Sequence, residues 1–492
     1  MTGSIQLIFP LIVLGAGAFF LYLVSRLFRL KNSLEALLTV GILLFAMTVL
    51  LIDLKGVVNL IDKPGGHFGV SGSAGIIFKP NVIGYLVSMV GVLIGIMITF
   101  YSAEYLSKDP RYILFYPLIL LTLAGLMGMF MSDNLFNLFL LIEFVTVTAS
   151  ALIAFRFYQE IAIKAGFKYL IMSSIGTMLM LLGIYFVFRS AGTMSLDQII
   201  NAPDKFTRMG GASFLLGFSL KAGVVPLHTW VPDVYGHAPS AVSGLLAGVV
   251  SKSMLFMMPL ICLRLGINAI ELGAYLMVFA CLNMIIGSIR MLRQALLRRF
   301  LSFSTIAQTG YLMFALGIGL FYSLGQAMVA AYFLFMVIAV MKSLAFLSAG
   351  ILEFHLGSQN IEKISGAGVL LPIPATYLSI SLAGLAGIPL LAGFTGKWLT
   401  FTAALATGDV FAIVCLMIFL FSTVVGLGGY LPTIVKIFLA SPSSEVKVHK
   451  TNKIIVSNWM LIPVSLLTIL VVMIGIYPTP WIDWAEWIME LM

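Results

Sequence analysis

Five ionisable residues stand where the sequence otherwise offers only hydrocarbon. They are Glu143 in LFLLIEFVTVTAS, Lys221 in FSLKAGVVP, Lys252 in GLLAGVVSK, Lys342 in FLFMVIAVMK and Lys397 in LAGFTGKW. A charged side chain at mid-bilayer costs about 2.5–3.5 kcal/mol on insertion scales, so four unpaired lysines cost on the order of 10 kcal/mol, comparable to the stability of a whole fold. Residues kept at that cost face a bundle interior and are hydrated, paired, or neutral part of the time. Burial disfavours an ammonium and a nearby carboxylate favours it. A lysine held between those influences can load and release a proton near neutral pH. Glu143 is the only acid deep in an apolar run and is the natural charge partner for one lysine. Snorkelling to an interface is the ordinary explanation of a single such lysine, and of the four Lys342 suits it best. It does not account for all five groups.

The backbone beside two of these lysines is unusual. Pro226 cannot donate to the carbonyl of Ala222, so the helix should open next to Lys221. The run LAGLAGIPLLAGFTGKW places Pro389 among Gly384, Gly387, Gly393 and Gly396, so a second helix should open next to Lys397. At membrane depth such backbone is tolerated only where it is buried in protein or lines a water-filled cavity. His228 and His237 follow the first break, whereas His67, His355 and His449 lie in loops. Each of the first two either caps the broken helix or relays protons. Haem ligation is poorly supported, because no pair of helices offers facing histidines. Cys262, Cys281 and Cys415 form no CxxC pattern and read as small core residues. No metal or cofactor site is expected. Asp133 in SDNLF reads as a helix N-cap, and Arg298-Arg299 as a topology anchor.

The elements that must position these groups are transmembrane helices. The chain of 492 residues is 61% hydrophobic and 10% charged, against about 45–50% and about 25% in soluble domains. Apolar windows about 20 residues long recur roughly from 4–24 to 456–477, about 14 in all, including 135–155, 211–230, 239–262, 325–350 and 372–404. The N-terminus lacks a basic region and a small-residue cleavage site, and reads as the first span. Of 28 basic residues, 17 fall in the odd-numbered connections and 7 in the even-numbered ones. That bias predicts cytoplasmic odd connections and external termini. The longest non-apolar pieces, 54–79 and 189–210, then lie outside. The net charge of +9 reflects this orientation and not nucleic-acid binding. Two broken, lysine-bearing helices in matching positions suggest internal repeats. Spans 4–8 (113–262) and 9–13 (268–435) would be those repeats, with helices 7 and 12 broken. Five helices is an odd number, so the repeats would be inverted.

The stretch SLKAGVVPLHTWVPDVYGHAPSAVSGLLAGVVSK resembles the shared segment of the antiporter-like subunits of respiratory complex I, membrane-bound energy-converting hydrogenases and Mrp-type sodium/proton antiporters. DNLFNLFLLIEF is similar to that family's fifth helix, LLRRFLSFSTIAQTGYLMFALGIG to its tenth, MKSLAFLSAG to its eleventh and LAGIPLLAGFTGKW to its twelfth. The resemblance covers roughly 80–405. It implies a fold of about 14 helices with two inverted five-helix repeats, each a half-channel, and a line of charged groups along the membrane mid-plane. By position it implies that Glu143 pairs with Lys221, that Lys252 is the connecting lysine, and that Lys342 and Lys397 are the helix-eleven and terminal lysines. Ile338 departs from the pattern, standing where the family often has a histidine one turn before Lys342. The end WIDWAEWIMELM follows span 14 without a long lateral helix, and DNLFNLF looks closest to the D-like subunits.

The expectation is a proton- or Na+/H+-translocating subunit without a redox cofactor of its own. It would sit in a prokaryotic inner membrane, in a multisubunit redox-driven complex with other membrane subunits, small antiporter subunits among them. A stand-alone Mrp-type antiporter module is the alternative.

Overall fold

The computed structural model describes residues 2–61, 68–69, 77–79, 81–109, 111–199, 204–443, 446 and 454–491. Among them, 13 helical stretches are long and apolar enough to cross a membrane. The difference from the expected 14 is the 372–404 span, which is split into Pro372–Ala386 and Ala392–Ala406, each 15 residues long. The only strands among the described residues are the two-residue pair Phe68–Gly69 and Ile77–Phe78. The protein is an all-helical, multi-span membrane protein.

The helices pack as two compact units, one built from residues up to Ala222 with Val249–Ala269, the other from Gly223–Gly248 with Ile270–Glu490. The first holds α1 (Thr2–Phe28), α2 (Asn32–Ile61), α3 (Val82–Tyr105), α4 (Tyr112–Met131), α5 (Leu135–Ile153), α6 (Glu160–Ala191), α7 (Leu196–Ile199), α8 (Lys205–Ala222) and α11 (Ser251–Arg264). The second holds α9 (Val231–His237), α10 (Ser240–Leu245), α12 (Ala269–Leu292), α13 (Leu297–Phe321), α14 (Gly325–Leu356), α15 (Pro372–Ala386), α16 (Ala392–Ala406), α17 (Val410–Phe438), α18 (Asn458–Ile476) and α19 (Thr479–Glu490).

In the first unit α6 and α8 touch backbone to backbone. A Cβ on Gly217 would lie 2.7 Å from the Gly176 carbonyl oxygen, and one on Gly210 would lie 2.8 Å from that of Gly183. Small residues at such crossings let helices approach where no hydrophobic drive separates protein from lipid. The outer faces stay apolar, with Phe19 and Met178 among the exposed side chains.

Alternate connections of the first unit lie together, as successive crossings of a helical bundle require. In the first unit the odd-numbered ones meet through the Tyr112 hydroxyl on the Leu30 carbonyl (2.7 Å) and Asn32 on the Ala103 carbonyl (2.6 Å). The even-numbered ones meet at Asp133, which is buried and ion-paired to Lys79 (3.2 Å) and Arg264 (3.6 Å). Asp133 is therefore not the N-cap of α5. Asn134 caps it, accepting from the Phe136 and Asn137 amides at 2.8 and 3.2 Å. The expected 189–210 loop is shorter than the sequence suggests, because α6 runs to Ala191 and α8 begins at Lys205.

Candidate functional site

Each unit gathers one group of the intramembrane lysines. In the first, Lys221 lies in the last turn of α8 and is 5% exposed. Its ammonium donates to Thr146 Oγ1 of α5 at 2.6 Å. The Thr146 hydroxyl spends its own hydrogen on the Ile142 carbonyl (2.9 Å), which leaves a lone pair for the lysine. Glu143 sits one turn earlier on α5, half-buried, within electrostatic reach of Lys221. No direct ion pair joins them among the described residues, and Glu143 Oε2 is buried without a hydrogen-bond partner. Lys252 is fully buried at the start of α11 and donates to Ser251 Oγ at 3.2 Å. It follows a π-helical turn, Leu246–Val250. Such turns frequently mark functional positions in helices.

In the second unit Lys342 lies inside α14, fully buried. Of the four lysines, the sequence makes Lys342 the best suited to partial snorkelling. The helix instead runs on to Leu356, and neighbours cover its whole apolar window. The ammonium donates to Ser304 Oγ (2.5 Å) and the Leu301 carbonyl (3.2 Å) of α13.

Lys397 is held by the second helix break. α15 stops at Ala386 because Gly387 takes φ +90°, a conformation that glycine alone adopts readily. The carbonyls of Leu385 and Ala386 lose their helical donors, and Lys397 supplies both, at 3.0 Å each. A Cβ on Gly387 would press on Lys397 Cδ at 3.0 Å, so the glycine also makes room for the stem. The ammonium lies 4.7 Å from the centre of the Tyr311 ring, a cation–π contact. Gln308 Nε2 donates to the same Leu385 carbonyl at 3.1 Å.

The first break forms by the same device. α8 ends at Ala222, Gly223 takes φ +72°, and Pro226 leads into a 3-10 turn, Leu227–Trp230. The freed amide of Val225 donates to Asn283 Oδ1 at 2.8 Å. His237 Nδ1 is hydrogen-bonded to the Asp233 carbonyl of its own helix (2.7 Å), as a capping residue would be. His228 has a buried Nδ1 without a partner among the described residues. Arg298 is 4% exposed, pairs with Glu353 through Nε at 3.0 Å and donates to the Ala238 carbonyl beyond α9. Sequence reasoning missed Thr146, Ser304, Gln308 and Tyr311, because hydroxyls, amides and rings at helical spacing look like ordinary span residues.

Each of the four lysines is thus buried with a neutral oxygen as a hydrogen-bond acceptor. The protonation state of a buried ammonium responds to charge moved nearby.

Residues 132–426 match the model of the NADH:quinone oxidoreductase/Mrp antiporter transmembrane family. The chain belongs to this family. It is 32% identical over 359 residues to NADH-quinone oxidoreductase subunit N of Geotalea uraniireducens, spanning 71% of this chain and 73% of the relative. It is 30% identical over 481 residues to NADH-quinone oxidoreductase subunit N 2 of Chloroherpeton thalassium, spanning 94% and 91%. Its fold matches a chain of the membrane-bound sulfane sulfur reductase, an archaeal respiratory membrane complex, with a TM-score of 0.86 at 24% identity, covering 100% of this chain and 97% of that one.

Proposed function

We propose that this chain is a proton-translocating subunit of a multisubunit, redox-driven membrane complex, of the kind named in its subunit N relatives. It moves ions by charge-coupled proton transfer along Glu143, Lys221, Lys252, Lys342 and Lys397. One observation carries the reading: four lysines are buried at 0–8% exposure inside membrane-spanning packing, with neutral oxygens accepting from them. A charged side chain at this depth is costly, so four lysines kept there together point to a function.

In this mechanism a neighbouring subunit perturbs Glu143, and Lys221 changes protonation state. The proton then passes by Lys252 and Lys342 to Lys397, which releases it. A change of one pKa unit corresponds to about 1.4 kcal/mol, and moving a charge against 100 mV costs about 2.3 kcal/mol. Two units therefore suffice. His228 and His237 flank the first break as secondary relay groups. The two breaks, at Pro226 and Pro389, belong to two inverted repeats over 113–262 and 268–435. Odd-numbered connections face the cytoplasm and both termini face outward, in a prokaryotic inner membrane.

The second reading is a D-like subunit of an Mrp-type Na+/H+ antiporter, and DNLFNLF is the observation that favours it. The names of the relatives favour the first. The test is the assembled complex in vesicles carrying a pH-sensitive dye, driven by NADH and a quinone. Lys221→Ala and Glu143→Ala should lose most proton uptake, and unchanged uptake would sink the proposal. Na+-dependent uptake without any redox partner would move the chain to the second reading.

A further inference from the structure

A lysine that passes protons alternates between two needs. As an ammonium it needs acceptors, and as an amine it also needs a donor for its lone pair. The partners of the buried lysines differ in whether they meet both. Lys397 is held by the Leu385 and Ala386 carbonyls at 3.0 Å each, and a carbonyl has no hydrogen to give. Thr146 gives its hydrogen to the Ile142 carbonyl, so it faces Lys221 as an acceptor. Lys342 is placed differently. Its Nζ donates to Ser304 Oγ at 2.5 Å and to the Leu301 carbonyl at 3.2 Å. Ser304 in turn shares a short hydrogen bond with the Tyr430 hydroxyl of α17, in which either oxygen can be the donor. Lys342 and Ser304 are 0% exposed and Tyr430 is 3% exposed.

The orientation of Ser304 singles it out. Ser302, Thr305 and Thr309 on the same helix all turn back to carbonyls four residues earlier, at 2.7–2.9 Å. That is the ordinary arrangement for a hydroxyl in a membrane helix. Ser304 instead points across, with Lys342 on one side and Tyr430 on the other. A hydroxyl both donates and accepts, and its hydrogen turns about a single bond. Two hydroxyls in series can therefore reverse direction together while both contacts stay made.

We propose that Ser304 and Tyr430 are positioning residues for Lys342, a reversible pair of hydroxyls that satisfies the lysine in both of its charge states. The inference rests on the relay reading above. With Lys342 an ammonium, its nitrogen donates to Ser304 and Ser304 donates to Tyr430. When the proton has left, Ser304 turns and donates to the amine nitrogen, and Tyr430 donates to Ser304. The amine keeps two hydrogens, one of them for the Leu301 carbonyl. No proton changes owner within the pair, and each hydroxyl keeps its own hydrogen. A buried polar group left unsatisfied is costly, and the reversal spares Lys342 that cost in either state.

The test compares Ser304→Ala, Tyr430→Phe, their double variant and Lys342→Ala in the assembled complex, reading proton uptake per NADH oxidised and NADH-induced infrared difference spectra. Tyr430→Phe keeps the ring, which packs edge-on against Phe300 at 5.7 Å, so assembly is preserved. Ser304→Ala should lower uptake about tenfold or more, and Tyr430→Phe by a smaller factor, because a hydrogen bond to a charged group is the stronger of the two. The double variant should be no worse than Ser304→Ala, since Tyr430 acts through Ser304. A tyrosine C–O stretch differs according to whether the hydroxyl donates or accepts. The wild type should therefore show a tyrosine difference band that is missing in Tyr430→Phe and in Lys342→Ala. A static packing role gives no such band, and its absence from the wild type, or its survival in Lys342→Ala, overturns the reversal. If Lys342→Ala abolishes uptake while Ser304→Ala and Tyr430→Phe pump normally, the pair is wrong and the relay stands. Normal uptake in Lys342→Ala removes Lys342 from the relay itself.

Discussion

Lys221 and Thr146 meet at 2.6 Å, one turn along α5 from Glu143. The lysine is therefore held by a hydroxyl while the carboxylate acts on it from further away. This arrangement suits a switch better than a direct ion pair does. A buried pair in contact is locked by desolvation and mutual attraction. In the proposed relay, a lysine on a neutral acceptor would respond to a change at Glu143 without a bond having to break.

Thr146→Val keeps the shape of the residue and removes the oxygen. A hydrogen bond to a charged group contributes about 1.5–3 kcal/mol, so the balance between ammonium and amine at Lys221 should shift by about tenfold or more. The complex should assemble, and proton uptake should fall. Uptake at the wild-type rate would show that Thr146 does not set the state of Lys221.

Gly393→Ala should prevent accumulation of folded protein. A Cβ there would lie 1.9 Å from the Gly384 carbonyl oxygen, a backbone atom that cannot rotate away. Gly41→Ala is the contrast, since a Cβ at that position meets nothing within 4 Å. In an exposed helix interior alanine is about 1 kcal/mol more favourable than glycine. Yield and thermal stability in detergent should separate the two variants.

Arg298→Met should destabilise the second unit by about 3 kcal/mol or more, because it leaves the Glu353 carboxylate without its partner and the Ala238 carbonyl without a donor. Adding Glu353→Gln should recover part of the loss, since the uncompensated charge is then gone. The carbonyl contact stays lost, so recovery should be incomplete. Thermal denaturation of the two variants beside the wild type tests both statements.

Asp409 caps α17 by accepting from the Phe411 amide at 3.1 Å, and it also accepts from the Tyr322 hydroxyl. The Tyr322 hydrogen bond, followed by the cap, holds its carboxyl below the usual carboxylate range. A depressed folded value means that the stabilisation is present in full above the unfolded value of about 3.9 and is lost as pH falls through the lower folded value. The wild type should therefore be more stable than Asp409→Ala at neutral pH, by a margin that is flat down to about pH 5 and shrinks below about pH 4. A margin that grows on acidification would contradict the assignment.

Much of this protein was legible before any coordinates. Spans follow from apolar runs, because only a helix satisfies its own backbone in lipid. Grouping of alternate connections in the first unit follows from the number of spans, because each crossing reverses the side of the chain. Pro226 and Pro389 announced the breaks, because proline removes a donor wherever it stands. Lys221, Lys252, Lys342 and Lys397 were conspicuous because charge in hydrocarbon is costly enough to need a reason.

Partnership was decided only by the fold. Nothing in the spacing of VTVTAS tells that Thr146 and not Glu143 touches Lys221, or that Lys342 is buried and not snorkelling. Ser302, Ser304 and Thr305 are near neighbours in sequence, yet only Ser304 turns across to α14 and α17. A hydroxyl's direction depends on what packs against its helix, and those contacts join residues 38, 75 and 126 positions apart. Sequence marks where charge is costly. Tertiary packing decides which neutral oxygen holds it, because hydrogen bonds act over about 3 Å and only the fold brings such groups that close.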